Sequence, residues 1–332
     1  MTDHAIFVPF APVNPEELSP YVELAHRLDA QRLWLGQSSA SDPHHALAFA
    51  AARGLRTPIG TAVSLMPLCH PLDAALRARS IAAATGQSVV AGFGPGAKLL
   101  QGSLYGSPYR SQLGAVREYV TIVRRLLDTG KADFVGEFYS CHGRLLPQFS
   151  GPAVEIGLGV LRPGMAELAG ELADVAICWL TPAAYLQNTI LPALRRGAEK
   201  AERPAPRVVA IVPAALSRRG RDIRQLVLAA AGPHMRLPHY ADMLSRSGIK
   251  VDAVSGAEDS ADALISGGSF VYGTPDEIFT QLHAFANAGV DEIAINAPGV
   301  LEVGLVRQKM QELEVLLRLA DGLKTRNPHR EP

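Results

Sequence analysis

From end to end the chain alternates apolar runs of strand length with amphipathic stretches of helix length. That alternation restricts it to a parallel sheet wrapped by helices. Eight strand-and-helix pairs can be counted, with strands over Ala5–Phe10, Arg32–Gly36, Ile59–Leu65, Val89–Phe93, Val154–Val160, Val175–Trp179, Val208–Ala214 and Glu292–Asn296. Eight such units in 332 residues predict an α/β fold, a (β/α)8 TIM barrel. Val116, Val120, Val123 and Leu127 keep helical spacing, as do Val306, Met310, Leu313 and Leu317, so both stretches belong to the outer ring and their apolar stripes to core packing. An open Rossmann sheet would alternate in the same way. Its fingerprint glycines belong at the first strand-to-helix turn, where this chain has Val8-Pro9-Phe10-Ala11-Pro12.

Two stretches break the rhythm, Pro95 to Gln112 after the fourth strand and Gly232 to Gly268 between the seventh and eighth. Both follow strand C-termini, the catalytic face of a barrel, where insertions form lids or substrate walls. Phe134–Cys141 adds a small hairpin ahead of the fifth strand. One domain over residues 1–325 is expected, with a frayed tail from Arg326.

Charge narrows the function classes. Acidic and basic residues balance at 32 each, which argues against a polyanion-binding role and for small-molecule chemistry. Cys69, Cys141 and Cys178 are odd in number and far apart, so they build neither a disulfide framework nor a CxxC metal site. No run approaches the roughly 18 apolar residues of a membrane span and no basic leader precedes one, so a soluble, cytoplasmic protein without membrane or nucleic-acid partners is expected.

Chemistry-bearing residues gather where strands end. In Gly92-Phe93-Gly94-Pro95-Gly96 the missing side chains at Gly94 and Gly96 let a ligand phosphate approach the backbone, or simply make a sharp rim turn. The fifth strand runs Gly157-Leu158-Gly159-Val160-Leu161-Arg162-Pro163-Gly164 into a helix that begins near Pro163. Free NH groups there, beside the Arg162 guanidinium, suit a cofactor phosphate. Asp42 is placed to cap a helix ahead of His44 and His45. His234 and His239 lack an acidic third ligand, so no metal site is expected. The Arg218–Arg224 cluster is a solvated face or an attractor of an acidic tail.

The stretch Gly60-Thr61-Ala62-Val63, then His70-Pro71, an alanine-rich helix, Thr85-Gly86-Gln87 and the Gly-Phe-Gly-Pro-Gly turn resembles the bacterial-luciferase-like flavin and F420 oxidoreductases. Arg117-Glu118-Tyr119, Gly136-Glu137-Phe138-Tyr139, Ala169 to Asp174 and Gly273-Thr274-Pro275 extend the resemblance over most of the chain. It implies coenzyme F420, with FMN as the alternative, lying across the barrel mouth against a bulge after the third strand that often carries a non-proline cis peptide. Carried over, the bulge is Ser64-Leu65, and the phosphate contacts fall on Gly94, Gly96, Gly159, Val160, Leu161 and Arg162. A homodimer is implied as well.

One departure matters. Many F420-dependent members of that family have an acidic residue and a histidine after the second strand, where this chain has Gly36-Gln37-Ser38. Gln37 could only orient a carbonyl or a cofactor edge, which leaves His70 as the candidate for proton transfer, or for a plain helix start. Covalent chemistry through Cys69 would need a depressed pKa. Leu33-Trp34-Leu35-Gly36-Gln37, Met66-Pro67-Leu68-Cys69-His70-Pro71 and Gly159 to Met165 are most similar to F420-dependent reductases of dehydroalanine in lanthipeptide pathways. That resemblance implies a small-molecule or modified-peptide substrate whose activated C=C bond accepts a hydride without a strong base. An FMN-dependent monooxygenase and a non-catalytic cofactor-binding barrel are the alternatives.

Overall fold

The computed structural model describes residues 2–38, 41–146, 151–252, 256–301 and 306–323. The expected tail from Arg326 lies outside them. Among the described residues, the eight strands form a closed parallel barrel: β1 (Asp3–Val8), β2 (Leu33–Leu35), β3 (Ile59–Thr61), β4 (Val89–Gly94), β5 (Val154–Gly159), β6 (Val175–Trp179), β7 (Arg207–Leu216) and β8 (Glu292–Asn296). Each pairs with the next, and β8 closes the ring on β1 from Asp3↔Glu292 to Phe7↔Asn296.

Register sorts side chains into two sets. One points outward into the large core shared with the helices; the other, Ala5, Trp34, Val90, Val175, Ile177, Val209, Ile211 and Ala294, fills the barrel itself. Trp34 fits because its neighbour across the pair is Gly60, where a Cβ would lie 2.3 Å from the indole. Below it sits a buried ionic plug, in which the Trp34 indole NH donates to Glu292 and Arg32 reaches towards both Glu155 and Glu292 at 3.8 Å. Burial holds the Glu292 pKa up and the Arg32 pKa down, as expected of charges kept from water and compensated by each other.

The outer ring comprises α1 (Ser19–Arg27), α2 (Pro43–Ala52), α3 (Pro71–Thr85), α4 (Lys98–Tyr105), α5 (Gln112–Thr129), α6 (Pro163–Leu172), α7 (Leu191–Lys200), α8 (Ile223–Met235), α9 (Pro238–Arg246), α10 (Ala257–Ser266), α11 (Pro275–Asn287) and α12 (Val306–Asp321). Val116, Val120 and Val123 of α5 and Leu313 and Leu317 of α12 are buried, as their spacing predicts. The early insertion supplies α4, and the late one α9 and α10 beside the end of α8. The expected hairpin pairs Lys131–Val135 with Ser140–Arg144. Its turn hangs on Glu118, whose carboxylate accepts the backbone NH groups of Glu137, Phe138 and Tyr139 at 2.7–2.9 Å. A further short strand, Val271–Gly273, pairs with the end of β7 and has no counterpart in the sequence expectation.

Candidate functional site

The open end of the barrel is floored by apolar side chains. Phe7, Ala62, Val63 and Trp179 pack on the interior cluster and remain partly exposed. Between β3 and the short strand Ser64–Leu65 lies a cis peptide at Ala62–Val63. The break therefore falls earlier than the expected Ser64-Leu65, because those two residues have already resumed parallel pairing, with Phe93 and Gly94. Gln37 secures this geometry: its Oε1 accepts the Leu65 NH at 2.7 Å, tying the end of β2 to the resumed strand.

The glycines of the rim have a local reason that sequence did not reveal. A Cβ on Gly94 would lie 2.7 Å from Val63 Cγ2, and one on Gly159 would lie 3.4 Å from Val63 Cγ1. Val63 thus projects into a slot between the ends of β4 and β5, and Gly94 is what opens it. Gly96 turns the chain with φ +70° ahead of α4. The fully buried Gln101 side chain holds that turn by donating to the carbonyls of Pro95 and Gly96.

At the end of β5, Val160 is buried and donates its backbone NH to the Ile177 carbonyl. Arg162 occupies the N-cap position of α6, and no side chain caps that helix. Its exposed guanidinium reaches Asp242 on α9 at 3.3 Å, while Asp242 also takes Arg246, and together these cations hold the Asp242 carboxyl below its ordinary range. Leu161 is partly buried, and its carbonyl accepts the Tyr185 hydroxyl at 3.4 Å.

His70 has a structural part. Its Nδ1 accepts the Leu72 NH, capping α3, and its Nε2 donates to the Ser140 carbonyl at 3.0 Å, pinning the hairpin. Both nitrogens are occupied by these contacts, and the helix start that the sequence suggests is seen. Asp42 caps α2 through the His44 NH, as expected.

On β6, the strand next to Gly159, begins a wall that sequence reasoning missed. Trp179 ends β6, stacks on Phe7 at 6.1 Å between ring centroids and meets His234 edge-on at 5.6 Å. His234 in turn meets Tyr240 at 5.1 Å, and Tyr240 meets His239 at 4.9 Å. Asn296, directly opposite Phe7 in the β1–β8 register, is 4% exposed. Trp179 Nε1, His234 Nδ1 and Asn296 Oδ1 are all shielded from solvent without a hydrogen-bond partner among the described residues. Burial depresses the pKa of His234 to about 4, so the ring is neutral at pH 7. The available signal was periodicity: Ala5, Phe7, Ala294 and Asn296 alternate onto the inner face, and an asparagine there has no apolar explanation.

A family model for luciferase-like monooxygenases matches residues 4–292. The chain belongs to that family. Among luciferase-like relatives, an F420-dependent glucose-6-phosphate dehydrogenase of Amycolatopsis mediterranei is 24% identical over 308 residues, covering 86% of this chain and 90% of that protein. A protein of the same description from Rhodococcus hoagii is 24% identical over 196 residues; the match spans 58% of this chain and 56% of that protein, little more than half its length. Of solved structures, the F420-dependent tetrahydromethanopterin reductase of Methanopyrus kandleri superposes with TM-score 0.75 at 17% identity, covering 97% of this chain and 99% of the other. The FMN-bound oxygenating constituent of 3,6-diketocamphane monooxygenase from Pseudomonas putida gives TM-score 0.74 at 14% identity, with 97% and 98% coverage. These likenesses carry the luciferase-like barrel.

Elsewhere in this luciferase-like chain, two sequence candidates are spoken for. The Cys69 thiol donates to Asp73 at 3.0 Å, and burial together with that carboxylate pushes its pKa up to about 12, the opposite of an activated nucleophile. In the Arg218–Arg224 cluster, Arg218 and Arg221 pair with Glu312, and Arg224 pairs with Asp262 and Glu258. Arg221 is compensated inside the fold, while Arg218 and Arg224 are paired on the solvated face.

Proposed function

We propose that this luciferase-like chain is an F420-dependent oxidoreductase, with FMN as the alternative cofactor, and that it reduces an activated C=C bond such as that of a dehydroalanine residue in a ribosomal peptide. The observation that carries the cofactor assignment is the partly exposed apolar floor of Phe7, Ala62, Val63 and Trp179 at the mouth, flanked by Gly159 and by Gly94, where a Cβ would stand 2.7 Å from Val63. A flat ring fits such a floor, and its anionic tail fits the backbone at Gly94, Gly96, Gly159 and Leu161 with the uncapped start of α6 and Arg162, the Val160 NH being taken by Ile177. When bound, the cofactor supplies the hydride.

The protein's own residues do the rest. Val63 and Trp179 set the depth at which a planar group rests, and Gln37 fixes the Ser64–Leu65 segment beside it. The aromatic wall excludes water. The end of β2 offers Gln37-Ser38 rather than an acid and a histidine, and His70 is committed to its cap. Alcohol oxidation, which needs a base, is poorly served; addition of hydride to a polarised C=C bond needs orientation above all. The F420-dependent relatives support this cofactor, and the FMN-bound neighbour supports the alternative.

Titration with F420 and FMN, each oxidised and reduced, followed by fluorescence and by protection against thermal unfolding, tests the proposal. Micromolar preference for F420, with turnover of a dehydroalanine peptide, is expected. Preference for reduced FMN moves oxygenation first, and binding of neither removes the cofactor site.

A further inference from the structure

Three polar atoms without hydrogen-bond partners among the described residues lie on one side of the mouth: an indole NH of Trp179, a ring nitrogen of His234 and the side-chain carbonyl of Asn296. A buried polar group left unpaired costs about 1–3 kcal/mol, so a folded protein rarely collects three beside one another without a use for them. They stand on three independent elements, β6, α8 and β8, which the fold brings together at the inner face: Trp179 is level with Ile211, Asn296 is level with Phe7 and Pro213, and Phe7 stacks on Trp179. Local chain geometry therefore does not account for the cluster.

We propose that Trp179, His234 and Asn296 are the substrate-selecting residues of this enzyme and that they take a planar, neutral amide. This deepens the proposed function and rests on the mouth being the reaction site. The chemistry of the three atoms selects the class. Trp179 Nε1 only donates, which suits a carbonyl oxygen, and Asn296 Oδ1 only accepts, which suits an amide NH. His234, uncharged, takes either role by tautomer. A secondary amide carries one donor and one acceptor in one plane and can lie against the Trp179 and Phe7 rings. A carboxylate or phosphate would meet the Asn296 carbonyl dipole, and none of the three wall side chains carries a positive charge at pH 7. The three atoms are shielded in this structure by the His234–Tyr240 edge contact, so entry of the amide displaces the α8–α9 side of the wall.

The chain contains two tryptophans, and Trp34 is fully buried in the barrel, so Trp179 reports on the wall without a label. The experiment titrates the full chain, free of cofactor, with N-acetyl-dehydroalanine N-methylamide, with methacrylate, an anion that keeps the C=C bond and carries no amide, and with glucose 6-phosphate, following tryptophan emission; Trp179→Phe supplies the Trp34 background. Saturable quenching by the amide is expected, with the two anions at least about tenfold weaker. Asn296→Leu and His234→Phe should each weaken the amide about tenfold, the loss of a hydrogen bond to a buried group. F420 binding by the same variants, read from the cofactor's own fluorescence, should change less than about threefold. Absence of amide quenching, equal or tighter binding of either anion, or wild-type amide affinity in the variants overturns the proposal. If Asn296→Leu fails to fold, His234→Phe, on the partly exposed side of the wall, carries the test alone. A chain that binds the amide and not F420 loses the cofactor assignment and keeps this one.

Discussion

Replacing His234 by phenylalanine should remove a measurable part of the acid sensitivity of the fold. His234 is pressed between the Trp179 and Tyr240 rings, and burial, with a smaller contribution from His239, lowers its pKa from 6.5 to about 4. The folded chain therefore keeps the ring neutral where the unfolded chain protonates it. The stability due to this difference is fully present above pH 6.5 and is lost as the pH falls through 6.5 towards 4. Integrated from pH 7.5 to pH 5, the linkage amounts to about 2 kcal/mol. Urea denaturation of wild type and His234→Phe at those two pH values isolates it, since other titrating groups, His239 included, cancel in the comparison. Wild type should lose about 2 kcal/mol more than the variant. Equal losses would mean that the ring is not buried in neutral form and would refute the description of the wall.

Gly94→Ala should destabilise the chain by about 1–3 kcal/mol and weaken F420, because the new Cβ would stand 2.7 Å from Val63; Gly102→Ala in α4, whose Cβ would meet nothing within 4 Å, is the control, and melting curves with a cofactor titration read both. His70→Ala should cost about 1 kcal/mol through the lost cap while leaving turnover within about twofold of wild type. A hundredfold fall in kcat at unchanged stability would return His70 to the chemistry. With its pKa pushed up to about 12, the Cys69 thiol should react with iodoacetamide at pH 7.5 at least about 100-fold more slowly than free cysteine, as peptide mass mapping over time would show; modification within minutes would contradict the Asp73 contact.

The barrel was legible because its strands are continuous apolar runs with turn residues at fixed intervals, a pattern that parallel sheets share with little else. The hairpin and both insertions could be seen for the same reason. Strand ends were less clear: Ala5–Phe10 became Asp3–Val8 because Pro9 withdraws a donor from the ladder, and Val271–Gly273 is too short to signal itself. At the mouth, sequence pointed to the glycine rim but not to a second reason for Gly94, whose absent side chain also makes space for Val63. The signature of His70, a histidine before proline at a strand end, suits a cap as well as a catalyst, and only the cap can be seen in the structure. Of the wall, only Asn296 signalled itself, by its place on the inner face; the meeting of His234 with Trp179 lay beyond reach, because α8 meets β6 only in space.

The ionic plug of Arg32, Glu155 and Glu292 beneath Trp34 has a kinetic consequence. With the lower end of the barrel filled by charge pairs and an indole, the mouth is the way in and the way out for anything that binds on the Phe7 and Val63 floor. Two ligands that use that floor must queue, the deeper arriving first and leaving last. On the proposed reading of cofactor and substrate, a well with a sealed bottom imposes a compulsory order of addition, the flat ring ahead of the amide.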